Sequence, residues 1–127
     1  MTVGSPSVSG TRAGGRGSVG ADLIDACALL RALGAPHRLA IVLELAEGPR
    51  CVHELVDDLG ISQSLTSQHL RVLRTTGLVT SARRGKETVY RLADEHVGHI
   101  ARDAVAHAGE PRHRTHDDDV AAEEHAP

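Results

Sequence analysis

Apolar residues along the chain first recur with a helical period. Leu23, Ile24, Cys27, Leu30 and Leu33, with Ala26 and Leu29 beside them, mark a helix from about Ala21 that Gly34 stops. Pro36 suits the opening of a second helix, because its missing N–H has no partner there in any case. That helix carries Leu39, Ile41, Val42, Leu43 and Leu45, apolar on nearly every side, and ends at Gly48-Pro49, so it is expected at the centre of the core. A third helix, Cys51 to Leu59, turns Val52, Leu55, Val56 and Leu59 inward. After the turn Gly60-Ile61, Ser62 is placed to cap a fourth helix from Gln63 to Thr76, with Leu65, His69, Leu70, Val72 and Leu73 inward and Gly77 closing it. Helix, glycine turn and capped helix together predict a helix-turn-helix.

Beyond Gly77 the period changes to alternation. Leu78 to Arg83 and Thr88 to Leu92 flank Arg84-Gly85-Lys86-Glu87, a two-stranded hairpin with a basic tip, which after a helix-turn-helix is a wing. A last helix spans Asp94 to Glu110, and Pro111 ends it. The expected fold class is mainly α with a β-hairpin wing (α+β), a winged helix-turn-helix at residues 21–110. Residues 1–20, poor in anything to bury, are expected as a disordered N-terminal arm, and residues 111–127 as a disordered tail rich in His and Asp.

Composition changes this picture in two ways. The 127-residue chain has no Phe or Trp and one Tyr, so its core is aliphatic and thin for a monomer, which favours burial against a second copy. The net charge of −3 does not suggest a nucleic-acid binder, but Asp117, Asp118, Asp119, Glu123 and Glu124 crowd the tail and hide local basic character. Two cysteines make no disulfide framework. With no apolar run of membrane-spanning length and no apolar core of a signal peptide, a cytoplasmic protein without a membrane partner is expected.

Two groups of residues carry candidate chemistry. On the fourth helix Ser62, Gln63, Ser64, Thr66, Ser67 and Gln68 are short polar groups suited to base edges and phosphates. With Arg83, Arg84 and Lys86 at the wing tip they point to duplex DNA. On the last helix, Asp94-x-His96 opens and His107-x-x-Glu110 closes. Imidazole and carboxylate suit zinc, with cobalt or nickel possible on the same donors. His96 and His107 lie eleven residues apart, close to three turns, hence on one face but about 16 Å apart along the axis. Metal–ligand bonds are about 2 Å, so one helix cannot bring both pairs to one ion. Two antiparallel copies across a two-fold axis can, giving two equivalent sites per homodimer. An enzyme is not expected: no nucleophile or positioned base accompanies these donors, and four ligands already fill a tetrahedron.

Gly34-Ala35-Pro36-His37-Arg38-Leu39, the run Ile61 to Leu73, Gly77-Leu78-Val79, and Arg84-Gly85-Lys86 through Tyr90-Arg91-Leu92 resemble the ArsR/SmtB family of winged-helix metal-sensing repressors, over roughly residues 22 to 110. The resemblance implies a homodimer that binds an inverted-repeat operator when metal-free and leaves it when metal binds. It assigns Asp94, His96, His107 and Glu110 to the zinc and cobalt site between C-terminal helices. It also implies that the histidine at position 107 bonds through its other nitrogen to a backbone carbonyl near Gly77. A second family site uses a cysteine run on the third helix, here Cys51-Val52-His53-Glu54, together with Cys or His from an N-terminal arm, and residues 1–20 contain neither. Cys51 with His53, Glu54 or Cys27 thus forms a second candidate set, for a soft-metal or redox-sensing repressor, while Cys27 also reads as core. A metal-buffering protein is the remaining alternative.

Overall fold

The computed structural model describes residues 15–111, and the expectations for residues 1–14 and 112–127, including His113, His116 and His125, lie outside them. Five helices and three strands follow in the order α1 (Gly15–Leu33), α2 (Pro36–Glu47), β1 (Arg50–Cys51), α3 (Val52–Leu59), α4 (Gln63–Thr75), β2 (Val79–Arg84), β3 (Glu87–Leu92) and α5 (Glu95–Ala108). This is a winged helix-turn-helix, with α3 and α4 as its helix pair and β2–β3 as the wing.

α2 is the hub. Pro36 stands at its first turn after Ala35, and Ile41, Val42 and Leu45 are buried along it. It packs against α1, α3, α4, α5 and β3. Leu55 of α3, Leu70 and Leu73 of α4, Leu78, Val79, and Val97 and Ala101 of α5 complete the core, with Leu39, Leu43, Val52, Leu59, Tyr90 and Leu92 packed at its edge. Gly98 lets α5 approach this closely: a Cβ there would meet Leu92 Cδ1 at 3.3 Å and Ala46 Cβ at 3.4 Å.

Local signals explain the helix ends. The Ser62 hydroxyl accepts the Leu65 N–H at 3.1 Å and starts α4. At its other end the Leu78 N–H reaches the Leu73 carbonyl (2.9 Å) and the Gly77 N–H reaches that of Arg74 (3.0 Å), with Gly77 at φ +80. That pair of bonds needs a left-handed residue at Gly77 and turns the chain directly into the wing. The hairpin register runs from Val79↔Leu92 to Arg84↔Glu87, closed by Gly85 at φ +64.

Four expectations need correction. α1 begins at Gly15, not near Ala21, so residues 15–20 belong to a helix instead of the expected arm. Glycines 15, 17 and 20 made that extension illegible, since each costs about 1 kcal/mol relative to alanine in a helix. Cys51 does not begin α3 but ends β1 and caps α3. β1 pairs antiparallel with β3 (Arg50↔Tyr90, Cys51↔Val89), so the sheet has three strands in the order β1-β3-β2, not two. Val72, read as inward, is exposed. No single described helix is long and apolar enough to cross a membrane.

Candidate functional site

The outer face of α4 presents Ser62, Gln63, Ser64, Ser67 and Gln68 to solvent. Thr66 departs from the expectation. It is fully buried, and its hydroxyl donates to the Ser62 carbonyl at 2.8 Å, so it packs the turn and reaches no base edge. The wing tip holds Arg83, Arg84 and Lys86 exposed. Sequence reasoning passed over two further cations: Arg71 and Arg74 line a cleft of about 140 Å³ with Ser67, Leu70 and Tyr90, between α4 and the wing. Ser67, Arg71 and Arg74 follow one another at i, i+4 and i+7, a spacing that could have placed them on one face. Arg74 Nη1 donates to Ser81 Oγ at 3.3 Å and so ties α4 to β2. Behind this face His69 is half-buried, with its ring edge-on to His37 (centroids 5.6 Å apart) and its Nδ1 3.5 Å from Arg38 Nη1. Burial, with the charges of Arg38 and His37 added, holds His69 below the usual histidine value.

On α5 the expected donors assemble as two separate pairs. Asp94 is the N-cap, its Oδ1 accepting the N–H groups of His96 (2.9 Å) and Val97 (3.3 Å). The same oxygen lies 3.5 Å from His96 Nδ1. In the last turn His107 Nδ1 stands 3.2 Å from Glu110 Oε1. All four side chains are exposed, His96 at 85% and His107 at 72%. The helix between them is continuous, so the pairs stay about three turns apart within one chain.

The other candidate set is rearranged. Cys27 is exposed on α1 rather than buried in the core. Cys51 is buried, with Sγ 3.2 Å from His53 Nδ1 and 3.2 Å from Glu54 Oε1. Glu54 also accepts the Cys51 N–H at 2.9 Å, a bond that closes the start of α3 and lowers the pKa of its carboxyl. Burial first, then contact with the Glu87 carboxylate, pushes the Cys51 thiol up to about 11. It therefore stays protonated through the neutral range when metal-free, and a protonated thiol is a poor nucleophile. Glu87, not singled out from the sequence, closes the group: one donor atom each from Cys51, His53 and Glu87 lie within 4.8 Å of one another.

Residues 35–81 match a family described as bacterial regulatory protein, arsR family. The HTH-type transcriptional repressor SmtB of Mycobacterium tuberculosis is 60% identical over 90 residues, which are 70% of this chain and 67% of that protein. The HTH-type transcriptional regulator NmtR of the same organism is 43% identical over 79 residues, 62% of this chain and 66% of its own length. A solved homodimeric winged helix-turn-helix DNA-binding domain from Mycobacterium bovis, described as a possible ArsR-family transcriptional regulator, has a TM-score of 0.67 at 29% identity and covers 84% of this chain and 96% of that one. The transcriptional repressor BigR from Xylella fastidiosa has a TM-score of 0.61 at 34% identity, over 69% of this chain and 90% of its own.

Proposed function

Because this chain belongs to the arsR family of bacterial regulatory proteins, we propose that it is a cytoplasmic, homodimeric transcriptional repressor that holds operator DNA when metal-free and releases it when a divalent cation, zinc foremost, binds between the α5 helices of two chains. The observation that carries this reading is the pair of preassembled donor sets, Asp94 with His96 and His107 with Glu110, at opposite ends of one exposed helix. They fit the ion. The cap on α5 uses Asp94 Oδ1 and leaves Oδ2 for a cation, and each imidazole has a carboxylate beside it. Antiparallel pairing of two α5 helices brings Asp94 and His96 of one chain to His107 and Glu110 of the other. A bound cation supplies positive charge that cross-links the chains. The exposed apolar residues of α1 (Val19, Leu23, Ile24, Leu30) and α5 (Ile100, Val105) support the same seam, since one chain leaves them in water.

On DNA, α4 enters the major groove with Gln63, Ser64, Ser67 and Gln68 at base edges, while Arg71 and the wing cations Arg83, Arg84 and Lys86 neutralise phosphates. Two such heads read half-sites one helical turn apart only at one dimer spacing, so donors that fix another spacing oppose DNA by linkage. A redox switch on Cys51 and Cys27 is disfavoured by the protonated, buried Cys51 thiol.

The test starts with duplexes selected from a random pool by the metal-free protein, followed by fluorescence anisotropy with and without zinc. Zinc is expected to weaken binding, and His96→Ala or His107→Ala to abolish that response while sparing metal-free affinity. Unchanged affinity on adding zinc removes the sensor reading, and failure to select any sequence leaves metal buffering in its place.

A further inference from the structure

Cys51, His53 and Glu87 come from three elements, the end of β1, the first turn of α3 and the first residue of β3. The β1–β3 pairing joins them: Cys51 stands opposite Val89, two residues beyond Glu87. Alternate residues of a strand share a face, so Glu87 lies on the Val89 side of the sheet, next to Cys51. We propose that these three side chains form a metal site within a single chain, distinct from the α5 donors, that takes a borderline divalent cation such as zinc and ties the base of the wing to the start of the helix-turn-helix.

The donor types suit that ion: one thiolate, one imidazole and one carboxylate. Tetrahedral bonds of about 2.0–2.3 Å set donor atoms roughly 3.4–3.6 Å apart. Cys51 Sγ is already 3.2 Å from His53 Nδ1 and 3.5 Å from its Nε2, and all three donors fall within 4.8 Å. Closing the group needs only small movements of His53 and Glu87, which are exposed side chains. An open cleft of about 230 Å³, lined by Cys51, His53, Gln63, Glu87 and Tyr90 among others, gives an ion a route in and leaves water the fourth position. The group whose donor atoms all fall within 4.8 Å of one another is Cys51, His53 and Glu87, while Glu54 holds the Cys51 N–H through Oε1 at 2.9 Å. The site needs neither an N-terminal arm nor a second cysteine, which separates it from the cysteine-run site that the resemblance implies. Binding exchanges the thiol proton for the metal ion and releases the proton to solvent.

Gln63, the first residue of α4, lines the same cleft. A cation here cross-links α3 to β3 beside the reading helix and sets the angle between wing and helix.

The test uses the full chain carrying His96→Ala and His107→Ala, which silences the α5 donors, titrated anaerobically with cobalt(II). One equivalent should bind with thiolate-to-cobalt charge-transfer absorption and the intense visible bands of four-coordinate cobalt. Cys51→Ser should abolish the charge-transfer absorption, and Cys27→Ser should leave it. His53→Ala and Glu87→Gln, at exposed positions that the fold does not depend on, should each weaken cobalt by more than about tenfold, the lower range of what even outer partners of a metal cost. Absence of the charge-transfer absorption, or full affinity in the His53 and Glu87 variants, overturns the proposal. So does loss of binding in Glu54→Gln with retention in Glu87→Gln. The α5 reading is untouched by any of these results, because both of its imidazoles are absent from the protein tested.

Discussion

Thr66 and Arg71 stand on one helix and have opposite duties. Thr66 gives its hydroxyl to the Ser62 carbonyl inside the turn, whereas Arg71 opens onto the cleft beside the wing. Thr66→Val is therefore expected to cost about 1 kcal/mol in urea unfolding, the worth of one neutral hydrogen bond, without changing DNA affinity of the folded protein. Arg71→Ala should leave stability nearly unchanged, weaken DNA binding uniformly across sequences and reduce the salt slope by about 1. His69 sets a pH dependence. Its folded pKa lies below the ordinary value of 6.5, so the unfolded chain binds the proton more readily. Its contribution to stability is whole above pH 6.5 and is lost as pH falls through the depressed folded value. Melting temperatures measured from neutral to acidic pH should drop over that range, and His69→Gln should flatten the drop. The placement of single residues was largely legible in the sequence where it depended on helix spacing, as in the pairing of Asp94 with His96 and of His107 with Glu110 at the two ends of α5. It was illegible for Glu87, whose place beside Cys51 follows from strand register across 36 positions of chain.

Among elements, period alone found all five helices and the wing. What it missed lay at junctions. β1 is two residues long, too short for alternation to show, and its partner strand lies beyond the helix-turn-helix. Pairing with β3 nonetheless decides the local chemistry, because it moves Cys51 out of α3 and turns it into the cap of that helix. Val72 shows the converse limit: its apolar character suggested the inward face, but the faces of α4 that meet the core carry Thr66, Leu70 and Leu73, and Val72 lies outside that stripe. Leu23, Ile24 and Leu30 have helical spacing as expected, yet among the described residues of α1 the chain's own core takes Leu29, Ala32 and Leu33 alone. Periodicity identifies a stripe without saying which molecule covers it.

At the scale of the whole molecule, that uncovered stripe makes assembly testable. Ile24 is 72% exposed in the single chain, so Ile24→Asp strains nothing within it. If α1 forms the seam, sedimentation should show the variant as a monomer with its helical content retained and its affinity for a two-half-site operator lost. A variant that remains dimeric and binds DNA normally excludes α1 from the interface. The stripe also links regulation to gene dosage. When chains are scarce and mostly single, the number of pairs rises with the square of the number of chains, so halving the supply cuts the number of pairs about fourfold. On the proposed reading, a cell that dilutes this protein through growth would begin to express the controlled genes without any change in its metal content, and synthesis of the repressor would become a second input to the proposed switch.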